Sequence, residues 1–433
     1  MSLQLTSCYP KHLTYFSIAV IVVFLTTLVT YDALVTQNFV VGLPATLLNT
    51  IHNYSEIWFN SPRNNNPTDI NTLRIELKKL GYEPVEDHEF ESPFIVNPKL
   101  YPNVSKHYLN ITNNPMKIIS LYNCPNWFIN HAESNLFNSD FNRCEYRCTV
   151  DLTGDRKQEA DVLIFFVGYL KGEPPARPRG QIWVKAMWES PVHYRYPSPY
   201  ESWRSVFNWT YTYRVDSDIF APNNLFAWRD RTLLLSDGEY LGIFKNKTKM
   251  AAWWVSHCGA NSKRDQYVKE LQKYIDVDIY GKCGPLKCPN KEKNAEQCEQ
   301  MLTTTYKFYL SFENSLCKDY LTEKFYRNFA ERLHVIPIAR GGFDYQKYIP
   351  PGGFVDASQF SNATELAKYL INLGNDPLRY AQMLKEKDKL AILNRKFDWC
   401  DICEKVHTDK RVKIIPDIRE WSHKDTCYKP TDL

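Results

Sequence analysis

Four short stretches place acids, bases and cations where apolar runs end. In WESPVHY (188–194) the carboxylate of Glu189 stands one residue before Ser190-Pro191. A carboxylate so placed can take the proton of a hydroxyl as its oxygen attacks an electrophilic carbon. A diphosphate leaving group would need positive charge there, not a second acid. His193 is the rival base, because imidazole titrates near neutral pH, although a hydrogen-bonded structural histidine has the same look. RVDSDIF (214–220) sets Asp216 and Asp218 two apart. That spacing can grip Mn2+ or Mg2+ on a diphosphate. A polar turn is the plainer reading, since cations elsewhere already supply neutralising charge.

Those cations lie in the other two stretches. Ser256 and CGANSKR (258–264) follow an apolar run and precede a helical pattern, with Lys263 and Arg264 at its start. A helix N-terminus approached by small residues is an anion site, though an ordinary N-capped surface helix shares the pattern. FENSLCKDYLTEK (312–324) gathers Glu313, Asn314, Tyr320, Thr322, Glu323 and Lys324. Glu323 can accept hydrogen bonds from sugar hydroxyls and Lys324 can pair with phosphate; a capped, charged helix start is the alternative.

Strands must end at these points to bring them together. ADVLIFFVGYL (160–170) reads as a fully buried strand, and QIWVKAMWES (181–190) and SVFNWTYTYR (205–214) as strands that end in polar residues. A second unit follows. MAAWWVS is a strand, and RDQYVKELQKYI (264–275) is a helix with Tyr267, Leu271 and Tyr274 on one face. VDIYGKCG is a strand and turn. YKFYLSFEN is a strand, KDYLTEKFYRNFAERL a helix and HVIPIAR a strand. NATELAKYLINLG and DPLRYAQMLKEKDKLAIL read as two more helices. The alternation predicts two doubly wound α/β domains facing a cleft, with a nucleotide donor at the strand C-termini.

A chain of 433 residues suits two domains, and 44% hydrophobic with 14% aromatic residues can fill their cores. The net charge of +4 gives no concentrated basic face for nucleic acid. Leu13 to Tyr31 runs 19 residues without a charge, with Lys11 before it and Asp32 after it. It reads as a signal-anchor with the N-terminus cytosolic and the rest lumenal; a cleaved signal peptide is the runner-up. Sequons at Asn53, Asn103, Asn110, Asn208, Asn246 and Asn362 fit a lumenal chain, while Pro67 disqualifies Asn66. Of 12 cysteines, Cys8 falls on the cytosolic side, so at least one of the other 11 stays free or pairs between chains. Cys400 and Cys403, Cys144 and Cys148, and the group Cys283, Cys288 and Cys298 read as disulfide cysteines rather than zinc ligands; their pairing is open. The expected layout is a tail 1–12, an anchor 13–31 and a stem 32–115. Domains at 116–240 and 241–390 follow, then a disulfide-containing segment 391–433.

Taken together, WESPVHY, FNWTYTYRVDSDIFAP, WWVSHCGANSKRDQYVKELQKYIDVDIYGKCG and YKFYLSFENSLCKDYLTEKFYRNF resemble the α1,3-fucosyltransferases, glycosyltransferase family 10, over about Ala160 to Leu390. The resemblance implies a GT-B fold: an N-terminal acceptor domain, a C-terminal GDP-fucose domain, and inversion at the fucose anomeric carbon. It implies a type II enzyme of the Golgi membrane. Glu189 falls where the family places its base. Arg264, Tyr320, Glu323 and Lys324 fall on positions that hold GDP-fucose, and Ser256 and Asn314 within donor-side motifs. No metal is required, although added Mn2+ can raise activity in such a family. The chain departs from it at His257, where V-S-N-C is common, and at Phe354 after IPPGG. For the acceptor, VDIYGKCG and the C-terminal C-x-x-C point to the N-glycan core GlcNAc. Antenna GlcNAc of Lewis or LacdiNAc type, or a non-catalytic lectin on the same fold, are the alternatives.

Overall fold

Apolar runs without alternation need cover on both faces, which a parallel sheet between layers provides. After a two-residue β1 (Tyr82–Glu83), such a sheet is built from β2 (Lys117–Tyr122), β3 (Cys148–Asp151), β4 (Val162–Phe166), β5 (Ile182–Met187), β6 (Trp209–Thr212) and β7 (Ile219–Phe220). Its order is β3-β2-β4-β5-β6-β7, with every pairing parallel. In β4 each residue of VLIFF is buried, and Ile164 lies between Leu121 and Val184 in register. This computed structural model describes residues 82–83, 90–95, 114–130, 146–287, 295–330, 333–393, 399–411 and 413–433. The stretch 13–31, nearly all of 32–115, and Asn53, Asn103 and Asn110 lie outside them. Among the described residues no helix is long and apolar enough to cross a membrane.

The second half starts after β8 (Leu225–Arg229) with α1 (Asp237–Asn246), where Ser236 and Glu239 form a reciprocal cap. Then come β9 (Lys249–Trp254), α2 (Arg264–Leu271), β10 (Val277–Tyr280), α3 (Ala295–Thr305) and β11 (Tyr306–Phe312). They are followed by α4 (Glu323–Tyr326), β12 (Ile336–Arg340), α5 (Tyr345–Tyr348) and β13 (Val355–Asp356). The sheet order is β10-β9-β11-β12-β13, again all parallel. Two helices, α6 (Ala363–Gly374) and α7 (Pro377–Asp388), cover it. Leu366, Leu370 and Leu373 of α6 are buried in one core with Phe308 and Ile338.

Three elements differ from the sequence expectation. KDYLTEKFYRNFAERL is not one helix but α4 and a 3-10 turn over Arg327–Phe329. Asp319 there takes φ 58, and Thr322 is bound to Glu313, so the stretch before Glu323 cannot wind. The helix α2 stops at Leu271, leaving Tyr274 half exposed. LAIL is a strand, β14 (Leu390–Leu393), pairing antiparallel with β8, which has β1 on its other side.

The segment after β14 returns to the first sheet. Here α8 (Trp399–Thr408) and α9 (Ile418–His423) put Trp399, Ile402 and Ile418 into the core of the first domain. Cys403 pairs with Cys148, 255 residues away, and Cys427 with Cys317; Cys258 pairs with Cys283. Cys298 and Cys400 are also disulfide-bonded, and Cys124 is the free cysteine among the described residues. Burial pushes the Cys124 thiol up to about 12. Among the sequons, Asn246 and Asn362 are exposed, and Asn362 Oδ1 caps α6. Asn208 lies in a different setting. It is buried, its Oδ1 accepts from Trp183 N at 2.8 Å, and its Nδ2 donates to Lys413 O at 2.7 Å. Its side-chain nitrogen is engaged inside the fold rather than presented at the surface.

Candidate active site

In the second sheet the chain first places β10 to one side of β9 and then returns β11 to the other. Loops leaving β9 and β11 therefore part to opposite faces, and the crevice at their C-terminal ends is where α/β proteins bind ligands. The loop after β9 is held by the Cys258–Cys283 bridge and by Ser262, whose N donates to Asn314 O at 3.0 Å and whose Oγ donates to Glu313 O at 2.7 Å. Gly281, at φ 100, passes so close that a Cβ there would sit 2.5 Å from Val255 O. Arg264 opens α2 with a buried guanidinium. It donates to Phe312 O at 2.7 Å and His257 O at 3.0 Å, while its buried Nε has no partner. Burial lowers its pKa, and Glu313 and Asp265 counter that.

The loop after β11 carries the remaining groups. Glu313 is fully buried and accepts from Thr322 N at 2.9 Å and from Thr322 Oγ1. Lys324 Nζ lies 3.0 Å from Thr322 Oγ1, 3.0 Å from Glu323 Oε1 and 3.6 Å from Glu313 Oε2. Burial opposes the ammonium, but Glu313 and Glu323 outweigh it and hold Lys324 above its ordinary value. The backbone of Gly342 lies against this loop, and a Cβ there would stand 2.3 Å from Cys317 N.

Opposite stands Glu189, two residues past β5. Its Oε1 accepts from Tyr320 OH at 2.5 Å and from Ser190 N at 2.8 Å, and among the described residues none donates a hydrogen bond to its Oε2. Tyr320 is buried. Burial first, then Glu189, raises its pKa, so the phenol remains a donor. This bond crosses from one domain to the other. Three more do so beside it: Ser315 Oγ to Ser190 Oγ at 2.7 Å, Val215 N to Asp319 Oδ2 at 3.1 Å, and Asn223 Nδ2 to Leu321 O at 2.7 Å. His193 lies between the same groups, 5.2 Å from the His257 ring centroid to centroid. Burial lowers its pKa, the Glu189 charge raises it, and His257 and Arg264 lower it.

Matches to two family models follow this division. One described as "Fucosyltransferase, N-terminal" covers residues 114–224, and one described as "Glycosyltransferase family 10 (fucosyltransferase) C-term" covers 244–421. The 4-galactosyl-N-acetylglucosaminide 3-alpha-L-fucosyltransferase FUT6 of Pan troglodytes is 33% identical over 333 residues, 73% of this chain and 86% of that one. The chain belongs to glycosyltransferase family 10. Glycoprotein 3-alpha-L-fucosyltransferase A of Drosophila melanogaster is 41% identical over 221 residues; these are 50% of this chain, which spans only 43% of that relative's length. A crystal structure of an α1,3-fucosyltransferase with GDP-fucose matches at TM-score 0.46 and 17% identity, over 70% of this chain and 94% of that one.

In this family 10 chain, Glu189, Arg264, Asn314, Tyr320 and Lys324 do converge on one crevice. Ser256 is exposed in the loop above it, and Glu323 is exposed at the start of α4. Asp216 and Asp218 are committed elsewhere. Asp216 takes both Arg214 Nε and Nη2 and also Lys318, and Asp218 takes Thr210 and Lys413. Phe354, the departure after IPPGG, is buried against Phe325 and Tyr345. Two features escape the sequence. Glu313 follows an apolar run, so its place at a strand end is visible, but its burial depends on Thr322 folding over it. Arg340 donates from Nη1 to Ser262 O at 2.9 Å and from Nε and Nη2 to Asp432 at 2.8 and 2.7 Å, bracing the loop after β9 from a residue 92 positions away. No local signal marks that pair.

Proposed function

We propose that the protein is an inverting α1,3-fucosyltransferase of GT-B architecture. It moves L-fucose from GDP-β-L-fucose to O3 of an N-acetylglucosamine on glycoprotein glycans, with the innermost GlcNAc of the N-glycan core as the favoured acceptor. Glu189 carries this reading: one oxygen is fixed from both domains, and no described residue donates to the other. The acceptor O3 attacks the fucose anomeric carbon from the Glu189 side and yields its proton to Oε2. The bond from that carbon to the phosphate oxygen breaks, and GDP leaves with its new charge against Arg264 and Lys324. Glu323 and Asn314 are placed to accept and donate to donor hydroxyls, with Ser256 at the loop above. No metal is needed in this scheme, since the Asp216 and Asp218 carboxylates already pair with cations. The three disulfides between assigned partners suit an oxidising lumen, so we place the domains in the Golgi lumen behind an anchor at 13–31.

A second acceptor reading has its own support. The name of the Pan troglodytes relative specifies a 4-galactosyl-N-acetylglucosaminide, an antenna structure. The deciding experiment gives the secreted lumenal fragment GDP-fucose and two acceptors, a core N-glycopeptide and an N-acetyllactosamine or LacdiNAc glycan, followed by linkage analysis. Fucose at O3 of the innermost GlcNAc is the expected product; fucose on the antenna would move the acceptor assignment. No transfer by the wild type to either would leave a glycan-binding protein on this fold. Glu189→Gln should lower turnover by roughly 10²–10⁴-fold while keeping the GDP-induced melting shift. Wild-type turnover in that variant would remove Glu189 from the role of base.

A further inference from the structure

The first sheet has a switch point of its own. The chain places β3 on one side of β2 and then β4 on the other, so the loops leaving β2 and β4 open a crevice at their C-terminal ends. The loop after β2 runs into a helix over 126–130 that carries Trp127, 54% exposed. The loop after β4 carries Tyr169, 45% exposed, in the turn Val167–Tyr169. No other tryptophan among the described residues is so exposed.

One buried ring organises both. Phe166, the last residue of β4, has its centroid 5.4 Å from Trp127 and 5.7 Å from Tyr169, each edge to face. It lies 6.1 Å from Trp188 in a stacked arrangement. Trp188 precedes Glu189 in the chain and is fixed by its indole N–H donating to Ala221 O at 2.8 Å. Neighbouring strands lie about 4.8 Å apart, so β2, β4 and β5 deliver Trp127, Tyr169 and Glu189 along roughly 10 Å of one sheet edge. Large aromatic faces left in water at a strand-end crevice mark a binding surface rather than a packing need.

We propose that Trp127 and Tyr169 form a stacking ledge for the pyranose rings of the acceptor glycan beyond the sugar that receives the transferred group. The inference rests on the transferase reading above and names the acceptor subsite of that reaction. A pyranose presents a flat patch of C–H groups that packs on an indole or phenol face while its hydroxyls stay wet at the rim. Continuity through Phe166 and Trp188 to Glu189 favours a carbohydrate in line with the reacting hydroxyl over a partner protein or a second copy of the chain.

The test compares acceptor kinetics for the wild type, Trp127→Ala, Tyr169→Ala and Trp127→Phe. Each is assayed with an extended N-glycan acceptor and with a single N-acetylglucosamine glycoside. A GDP-fucose melting shift equal to wild type verifies folding of each variant. Either alanine should raise KM for the extended acceptor about tenfold, the cost typical of removing an aromatic anchor, with a much smaller change in kcat. The single-sugar acceptor should lose severalfold less, and Trp127→Phe should recover most of the affinity. Unchanged KM in both alanine variants overturns the ledge, as does an equal loss on the two acceptors. If the wild type transfers to neither acceptor, the transferase reading itself fails and the ledge with it; if it transfers and the variants match it, only the ledge fails.

Discussion

At the scale of single residues, the bond from Tyr320 OH to Glu189 Oε1 joins the two domains at the carboxylate proposed as the base. Tyr320→Phe removes a hydrogen bond to a charged group, a loss of about 1.5–3 kcal/mol. It should lower kcat by roughly tenfold or more while leaving the acceptor linkage unchanged. Slowed product formation with a normal donor melting shift is the readout. Lys324→Met removes the ammonium next to Glu313 and should raise the Kd for GDP-fucose; unchanged affinity would exclude contact with the diphosphate. Glycopeptide mass spectrometry should find glycans on Asn246 and Asn362 and none on Asn208. The sequence displayed Glu189, Arg264 and Lys324 as polar residues at the ends of apolar runs, and those positions are where the crevice forms. It also displayed Asn208 as a sequon like any other. Only the fold reveals that Trp183 N and Lys413 O already hold its side chain.

Among the elements, strands buried on both faces were readable because their apolar runs are continuous: β4, β5, β11 and β12 lie inside the stretches expected, and β9 begins one residue before its own. Elements decided by distant partners were not. LAIL has the composition of a helix end until β8 offers it an edge, and the turn before α4 is set by the buried Glu313. The segment from α8 onward shows the same dependence most strongly. It crosses the first domain and then reaches the loop after β11 through Cys427–Cys317 and the end of β12 through Asp432–Arg340. Arg340 is buried, so Asp432→Ala strands its guanidinium. That variant should destabilise the protein by about 2 kcal/mol and raise KM for GDP-fucose more than KM for the acceptor, since Arg340 also holds Ser262 O. Equal stability of variant and wild type in a denaturant titration would show that the ion pair braces nothing.

For the whole molecule, acid should weaken the fold before any depressed carboxylate is protonated. Burial holds His193 and His423 below the ordinary histidine value. As pH falls through about 6.5, the unfolded chain takes up protons that the folded state still refuses, so stability drops. Asp216, held low against burial by Arg214 and Lys318, contributes only at more acid pH. Asp319, pushed up by burial, acts the opposite way, so the informative quantity is a difference. Tm should fall from pH 7 to pH 5 in the wild type, and His193→Gln should fall less; parallel curves would clear His193 of the effect. The return of the chain to its first domain also imposes a timetable. Cys148 emerges 255 residues before Cys403, which at about 5–20 residues per second is on the order of tens of seconds of synthesis. Throughout that interval the first sheet lacks the cover of Trp399, Ile402 and Ile418, and a reactive thiol waits without its mate. In the lumenal placement proposed above, quality control would therefore meet the first domain as an unfinished client until the second domain has passed, and mutations in residues 399–427 should show themselves as retention and degradation before they show themselves as lost catalysis.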